Sequence, residues 1–326
     1  HNFTGSNNLN LLVPNGQFGS RLQGGKDAAQ SRYIFTLLSP LTRKIFIDSD
    51  DALYKYLDDD GIRIEPESYC GIIPMVLVNG SEGIGTGFST TIPCYNPLDL
   101  IRIIKNKLSG KDSVPIKPWY RGFSGTIKKI ENKSYLTKGK YKVISNSEII
   151  ITELPIGVWT EKYIEHLEKC MIEKGKENTK HFIKSFEDNS TESTVNIKVK
   201  FNSYSLTKFQ NKANKENKTY LESILRLTSR LSTNNMWLFD TDNKIKKYSN
   251  VEEIIDQLQG AIPGINNGFS VDPKELMQLA KQGRSEVSAA LYKVETKLGR
   301  KVDGVKSINS TGQARDWVDD LGVSPA

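Results

Sequence analysis

Two hydrophobic periods alternate along this chain. In "NPLDLIRIIKNKL", Leu98, Ile101, Ile104 and Leu108 recur at helical spacing. Asn96 can cap that run and Pro97 sits at its first position, so a helix is predicted from there. "WTEKYIEHLEKCMIEKG" puts Ile164, Leu167 and Met171 on one side and also reads as helix, as does "TYLESILRLTSRL". "DDALYKYLDDDG" has an acidic start, apolar Leu53, Tyr54 and Leu57, and Gly61 as a stop, which predicts a short helix. The two-residue period predicts strands. "STVNIKVKF" alternates strictly at Val195, Ile197, Val199 and Phe201. "FSGTIKKIE", "SYLTKGKYKVI" and "EIIITELP" read as an antiparallel meander with polar turns. "NLNLLVPNG" alternates up to the turn signal Pro14-Asn15-Gly16, and "KDAAQSRYIFTLL" carries apolar residues at 34, 35, 37 and 38 before Ser39-Pro40. "YCGIIPMVLVNG" is a continuous apolar run expected to be buried. Helices and strands are mixed along the chain, and an α+β fold class is expected.

The breaks in these patterns mark the organisation. "NKANKENK" is a Lys/Asn loop, and "LQGAIPGINNGFSVDP" is a Gly/Pro/Asn linker. Beyond it a helix is predicted, with Leu276, Leu279, Val287, Leu291, Val294 and Leu298 on its face, and a shorter helix near "GQARDWVDDLG". No internal repeat is visible. With 326 residues the chain is long enough for two or three domains. It contains no run of about 18 apolar residues, so no membrane partner is expected. It opens on His1 and a polar stretch without a signal-peptide pattern, so a piece of a longer protein is expected.

Charge adds a direction. The chain carries a net +7, but residues 101 to 220 hold 24 Lys or Arg against 13 Asp or Glu. That block is more basic than the whole chain, and a concentrated basic block points to a polyanion such as nucleic acid. The alternative is a solvated Lys-rich surface. Cys70, Cys94 and Cys170 lie far apart, as do His1, His166 and His181, which gives neither a disulfide framework nor a metal-ligand spacing.

Two short stretches could carry chemistry. In "GGKDAAQSRYIFT", Tyr33 follows Arg32, and Lys26 follows Gly24-Gly25. A tyrosine nucleophile has to lose a proton from a phenol of pKa near 10, and it needs cations where charge builds up on a phosphoryl group. Arg32 and Lys26 can supply that charge, and the two glycines can expose backbone N–H groups to phosphate. The bland alternative is a rim tyrosine with an amphipathic role. In "SEGIGTGFSTTIP", glycines at 83, 85 and 87 surround Ile84. Such a turn could push the isoleucine out as a wedge between DNA base steps. The alternative is a buried isoleucine in a glycine-rich loop. Neither a P-loop nor a dinucleotide fingerprint fits the spacing.

The stretches "GSNNLNLLVPNGQFGSRLQGGKDAAQSRYIFT", "DDALYKYL", "IEPESYCGIIPMVLVNGSEGIGTGFST", "PWYRGFSGTI", "ITELP" and "KIKKYSNVEEII" follow one another in this order. Together they resemble the DNA-gate half of eukaryotic-type DNA topoisomerase II, a type IIA enzyme, from residue 1 to about residue 257. The resemblance implies that residues 1–75 are the C-terminal part of a winged-helix DNA-cleavage domain and that 76–257 form a mixed α/β tower domain. Residues 258–326, the linker and helical tail, lie outside it. It implies that Tyr33 is the nucleophile that becomes a 5′-phosphotyrosine, that Arg32 is its phosphate partner and that Ile84 is the wedge; Lys26, by its charge beside the same turn, is expected to bind DNA. The complete enzyme would use Mg²⁺ and ATP, with ligands outside this chain, and would act on double-stranded DNA as a homodimer. It would reside in the nucleus, or in a host cell for a viral source. The rivals are a DNA-binding and bending module that leaves no covalent adduct, and an interaction protein assembling through its C-terminal helices.

Overall fold

The structure, a computed structural model, describes residues 1–52, 54–108, 110–112, 115–171, 182–202, 219–240 and 244–260. In chain order its strands are β1 (Tyr56–Asp59), β2 (Ile62–Pro66), β3 (Ser81–Gly85), β4 (Phe88–Ile92), β5 (Thr126–Glu131), β6 (Ser134–Lys138), β7 (Lys140–Ser145), β8 (Glu148–Glu153), β9 (Ile183–Asp188), β10 (Ile197–Phe201), β11 (Thr228–Ser232), β12 (Met236–Phe239) and β13 (Ile245–Tyr248). The helices are α1 (Thr42–Ile45), α2 (Met75–Val78), α3 (Pro97–Leu108), α4 (Thr160–Lys169), α5 (Tyr220–Ile224) and α6 (Val251–Gly260), with 3-10 turns at Ser31–Tyr33 and Asp48–Ala52.

Apolar periodicity translates into two main cores. Asn96 starts α3 by accepting a hydrogen bond from the Leu98 N–H at 2.9 Å, one of the orphan donors that a helix start must satisfy. The helix then buries Leu100, Ile101, Ile103 and Ile104 against α6, Ile45, Leu77 and Tyr248. This first core takes residues from both sides of position 75. In the second core, a sheet of order β7-β8-β10-β9 lays Ile149, Ile151, Ile197 and Val199 against Tyr163 and Leu167 of α4 and Leu221 of α5. Val195, Ile197, Val199 and Phe201 are all buried, as their alternation predicts. A third, small cluster joins Cys94, Tyr120 and Ile156.

Several local expectations are corrected. The helix expected over residues 50–61 is a 3-10 turn followed by β1, which pairs antiparallel with β2. Gly61 does not end a helix. It turns a hairpin, with Asp60 at φ 50° and Gly61 at φ 80°, and Asp-Gly is a favoured pair for such turns. The helix expected over 219–231 begins with a capping box, Thr219 with Glu222, but stops at Ile224. Arg226 adopts φ 50°, and Thr228–Ser232 leave as β11 to pair with β6. The expected meander is two hairpins in different sheets: β5-β6 joins β11, whereas β7-β8 joins β10. The change of sheet falls at Gly139, whose N–H donates to the Leu227 carbonyl at 2.9 Å and where a Cβ would strike the Glu153 carbonyl. Residues 8–16 form no strand and contribute a single bridge, Leu12 to Leu38. Helix α4 ends at Lys169, earlier than expected, and Met171 bridges to Ile183. The Lys/Asn loop, His181 and the helical tail lie outside the described residues.

Candidate functional site

The turn that leads to Tyr33 is fastened from several sides. Gly24 and Gly25 have φ of 65° and 84°, and a Cβ on either would run into Trp159 or His1. Here glycine is required because other side chains press directly on the backbone. The Gly25 N–H donates to the Ser20 carbonyl at 2.9 Å, so it is engaged within the turn rather than offered outward. The Asp27 carboxylate accepts from the Ser20 N–H at 2.8 Å. Burial works against its charge, but hydrogen bonds from Ser20 and from its own backbone outweigh this and hold its carboxyl below the usual value. Lys26 is exposed beside this turn.

A buried ion pair anchors the same segment to the β7-β8-β10-β9 sheet. The guanidinium of Arg21 meets Glu153 at the end of β8, with both side chains about 95% buried (5% and 4% exposed). Glu153 also accepts from the Ser124 N–H at 3.1 Å, the Ser124 hydroxyl at 3.2 Å and the Leu154 N–H at 3.0 Å. The Arg21 N–H donates to the Glu192 carbonyl at 2.8 Å. Sequence reasoning missed this link. Its only trace is a glutamate closing the apolar strand "EIIITELP" and an arginine in a glycine-rich stretch, and neither names the other.

Tyr33 closes the 3-10 turn and is 70% exposed. Arg32 lies over its ring, with the guanidinium carbon 5.4 Å from the centroid. Gln30 accepts from the Arg32 Nε at 2.7 Å and from its terminal nitrogen, which holds the guanidinium beside the phenol. The buried tyrosines are placed differently. Tyr163 is buried and its hydroxyl donates to the Leu225 carbonyl at 2.8 Å. Burial pushes the phenols of Tyr95, Tyr120 and Tyr163 well above their ordinary value. Such groups can neither reach an external phosphate nor ionise readily, whereas Tyr33 is open to one.

Ile84 lies on β3 near the tip of the β3-β4 hairpin and is 91% exposed, so it is not a core residue. Its cross-strand partner is Ser89, and the tip is Thr86-Gly87 with Gly87 at φ 82°. Of the four candidate residues, Arg32 and Tyr33 touch each other, Lys26 stands on the glycine turn before them, and Ile84 stands apart on β3.

The basic block is partly neutralised. Lys107 pairs with Asp256, Lys138 with Glu222 at 2.8 Å, and Lys200 with Glu148 at 3.1 Å. Lys128, Lys129, Lys140 and Lys142 are exposed on β5 and β7. A cleft of about 650 Å³ opens beside α4, rimmed by Lys162, Lys169 and Arg226, with His166 and Cys170 among its lining. Among the described residues no three His, Cys, Asp or Glu side chains converge to hold a metal ion. No described helix is long and apolar enough to cross a membrane.

Known proteins resemble this chain over most of its length. Residues 1–261 match the family of A-type subunits of DNA gyrase/topoisomerase IV. DNA topoisomerase 2 of Arabidopsis thaliana is 43% identical over 259 residues, covering 78% of this chain and 17% of the relative. DNA topoisomerase 2-alpha of Cricetulus griseus is 42% identical over 254 residues, covering 78% of this chain and 16% of the relative. The crystal structure of the Plasmodium falciparum topoisomerase II DNA-binding, cleavage and re-ligation domain superposes with a TM-score of 0.72 at 41% identity, over 79% of this chain and 34% of that one. The chain thus spans under a fifth of the length of these curated relatives.

Proposed function

This chain belongs to the DNA gyrase/topoisomerase IV family, and we propose that it is the part of a type II topoisomerase that cuts, bends and reseals duplex DNA. The observation that carries this reading is an exposed phenol with a guanidinium held against its ring, Tyr33 with Arg32, inside the matched residues. The Tyr33 oxygen attacks a DNA phosphorus and gives up its proton. The 3′-oxygen leaves and takes up a proton, so one ester bond forms as another breaks. The reverse attack by the 3′-hydroxyl reseals the strand. Because a diester is exchanged for a diester, the break stores the energy needed to close it. Arg32 stabilises the charge that grows on the phosphoryl oxygens, and Lys26 contributes a phosphate contact. Ile84 enters a base step as the wedge; its exposure at a hairpin tip supports that role.

In this reading residues 1–75 belong to the cleavage domain and 76–257 to the tower that carries the DNA arms. The complete enzyme works as a homodimer, each protomer cutting one strand, in the nucleus or in a virus-infected host cell. Its Mg²⁺ and ATP are bound by other parts of the protein. The test is Tyr33→Phe in the complete enzyme. Covalent DNA attachment should vanish while DNA binding stays within about threefold, because phosphate contacts rather than the phenol carry affinity. A Tyr33→Phe enzyme that relaxes supercoils at the parental rate would refute Tyr33 as the nucleophile and leave this chain at most a DNA-binding and bending part of the enzyme. Binding should also fall with salt, by about 0.9 in the log–log slope for each phosphate neutralised.

A further inference from the structure

The hairpin that carries Ile84 has little of its own to hold it in place. β3 and β4 form a two-stranded sheet, and an isolated pair of strands is marginal in water. Gly83 and Gly85 face Thr90 and Phe88 across the pair and contribute no side chains to it. The direction in which Ile84 points therefore depends on what meets the other edge of β4. There the structure sets Asn235 and β12. The Thr91 N–H donates to the Asn235 carbonyl at 2.8 Å. The Thr90 hydroxyl accepts from the Trp237 N–H at 3.0 Å and donates to the Trp237 carbonyl at 2.8 Å, replacing two bonds of a regular ladder. The Asn235 amide donates to the carbonyl and hydroxyl of Ser89 at 2.9 and 2.8 Å, and Ser89 is the residue directly across from Ile84. The Trp237 indole N–H donates to Asn235 Oδ1 at 2.9 Å, which fixes the orientation of the amide. Its ring meets Phe88 edge-on at 5.6 Å. The far side of this brace is rooted in the first core, where Met236 and Tyr248 are fully buried.

We infer that Asn235 and Trp237 are positioning residues for Ile84, locking the wedge hairpin to the core at one angle. This inference rests on the reading of Ile84 as the wedge. Unstacking a base step is costly, and a hairpin that pivots must also be ordered when it binds. A fixed hairpin avoids the second cost. Phosphate contacts do not depend on that angle, so loss of the brace separates bending from binding.

The experiment is end-to-end energy transfer on a labelled duplex bound by the full chain, with binding titrated in parallel. Asn235→Ala should lower the bent population by about threefold to tenfold, the worth of one or two neutral hydrogen bonds. Affinity should stay within about twofold. Trp237→Phe keeps a ring against Phe88 but loses the indole N–H, and should show a smaller loss in the same direction. In an Ile84→Ala background, Asn235→Ala should produce no additional loss, because both act on one event. Parental bending by Asn235→Ala and Trp237→Phe would overturn the inference, as would a full additional loss in the Ile84→Ala background. Parental bending by Ile84→Ala alone would instead remove the wedge reading itself.

Discussion

Within residues 33–38 most large apolar side chains stay outside: Phe35 is 91% exposed, Tyr33, Leu37 and Leu38 are all more than half exposed, and Ile34 is half-buried. On β8 and β10 the opposite holds, and Ile149, Ile151, Ile197 and Val199 are completely buried. The sheet region is stabilised by burial spread over many side chains. The segment with the candidate nucleophile buries little and is held at points: Arg21 on Glu153, Gly24 and Gly25 under Trp159 and His1, Gln30 on Arg32. A phenol that must reach a phosphate outside the protein cannot sit in a core. Its precision has to be borrowed from the sheet, through a few specific contacts.

The sharpest way to break this contrast is to remove the main point of attachment. Arg21→Ala leaves the Glu153 carboxylate buried without its cation, and breaking a buried pair from one side costs about 3–5 kcal/mol. Urea unfolding should show that loss. Replacing both partners with apolar residues should recover only part of it, because Ser124 and Leu154 also donate to Glu153. A loss below about 1 kcal/mol, the range of exposed pairs, would mean that the segment is held by something else.

Next in size is a paired comparison of the two regions. Ile197→Ala on β10 should cost about 2–5 kcal/mol through lost burial and a cavity. Phe35→Ala removes a larger side chain but should change stability by no more than about 0.5 kcal/mol, because that ring is already in water. Equal losses would erase the distinction between a packed support and a point-held segment.

The same division decides what was legible in the sequence. Helix α3 and strand β10 were readable because cap and period are local: Asn96-Pro97 for one, strict alternation at 195–201 for the other. The family resemblance drew attention to Tyr33, Arg32 and Ile84, and local chemistry allowed those roles. What stayed hidden was non-local. Thr228–Leu231 read as helix because their partner strand, β6, lies about ninety residues earlier. Residues 56–59 read as helix although Asp60-Gly61 is itself a hairpin signal. Arg21–Glu153 and Asn235–Ser89 join residues more than a hundred positions apart, and no period or spacing encodes such pairs.

The smallest expected effect concerns pH and falls on the support alone. His166 is half-buried on α4, with its Nε2 3.1 Å from the Ile224 carbonyl. Around it stand Tyr163, Cys170, Lys162, Glu165, Lys169 and Arg226. Burial lowers its pKa below the ordinary 6.5, the bond to Ile224 works the other way, and the Arg226 and Lys169 charges add to the lowering. The folded state therefore resists protonation more than the unfolded chain does. Stability from this group is full above pH 6.5 and is lost as the pH falls from there towards the depressed folded value. Glu148, held below the usual carboxylate value chiefly by its hydrogen bond with Lys200, adds its own loss only below about pH 4.5. The measurement is unfolding at several pH values between about 7 and 5, where imidazole titrates and carboxylates do not. His166→Gln should flatten the slope in that window while the exposed Tyr33 segment keeps its proteolytic susceptibility unchanged. A slope that survives the substitution in full would show that the support does not titrate through His166.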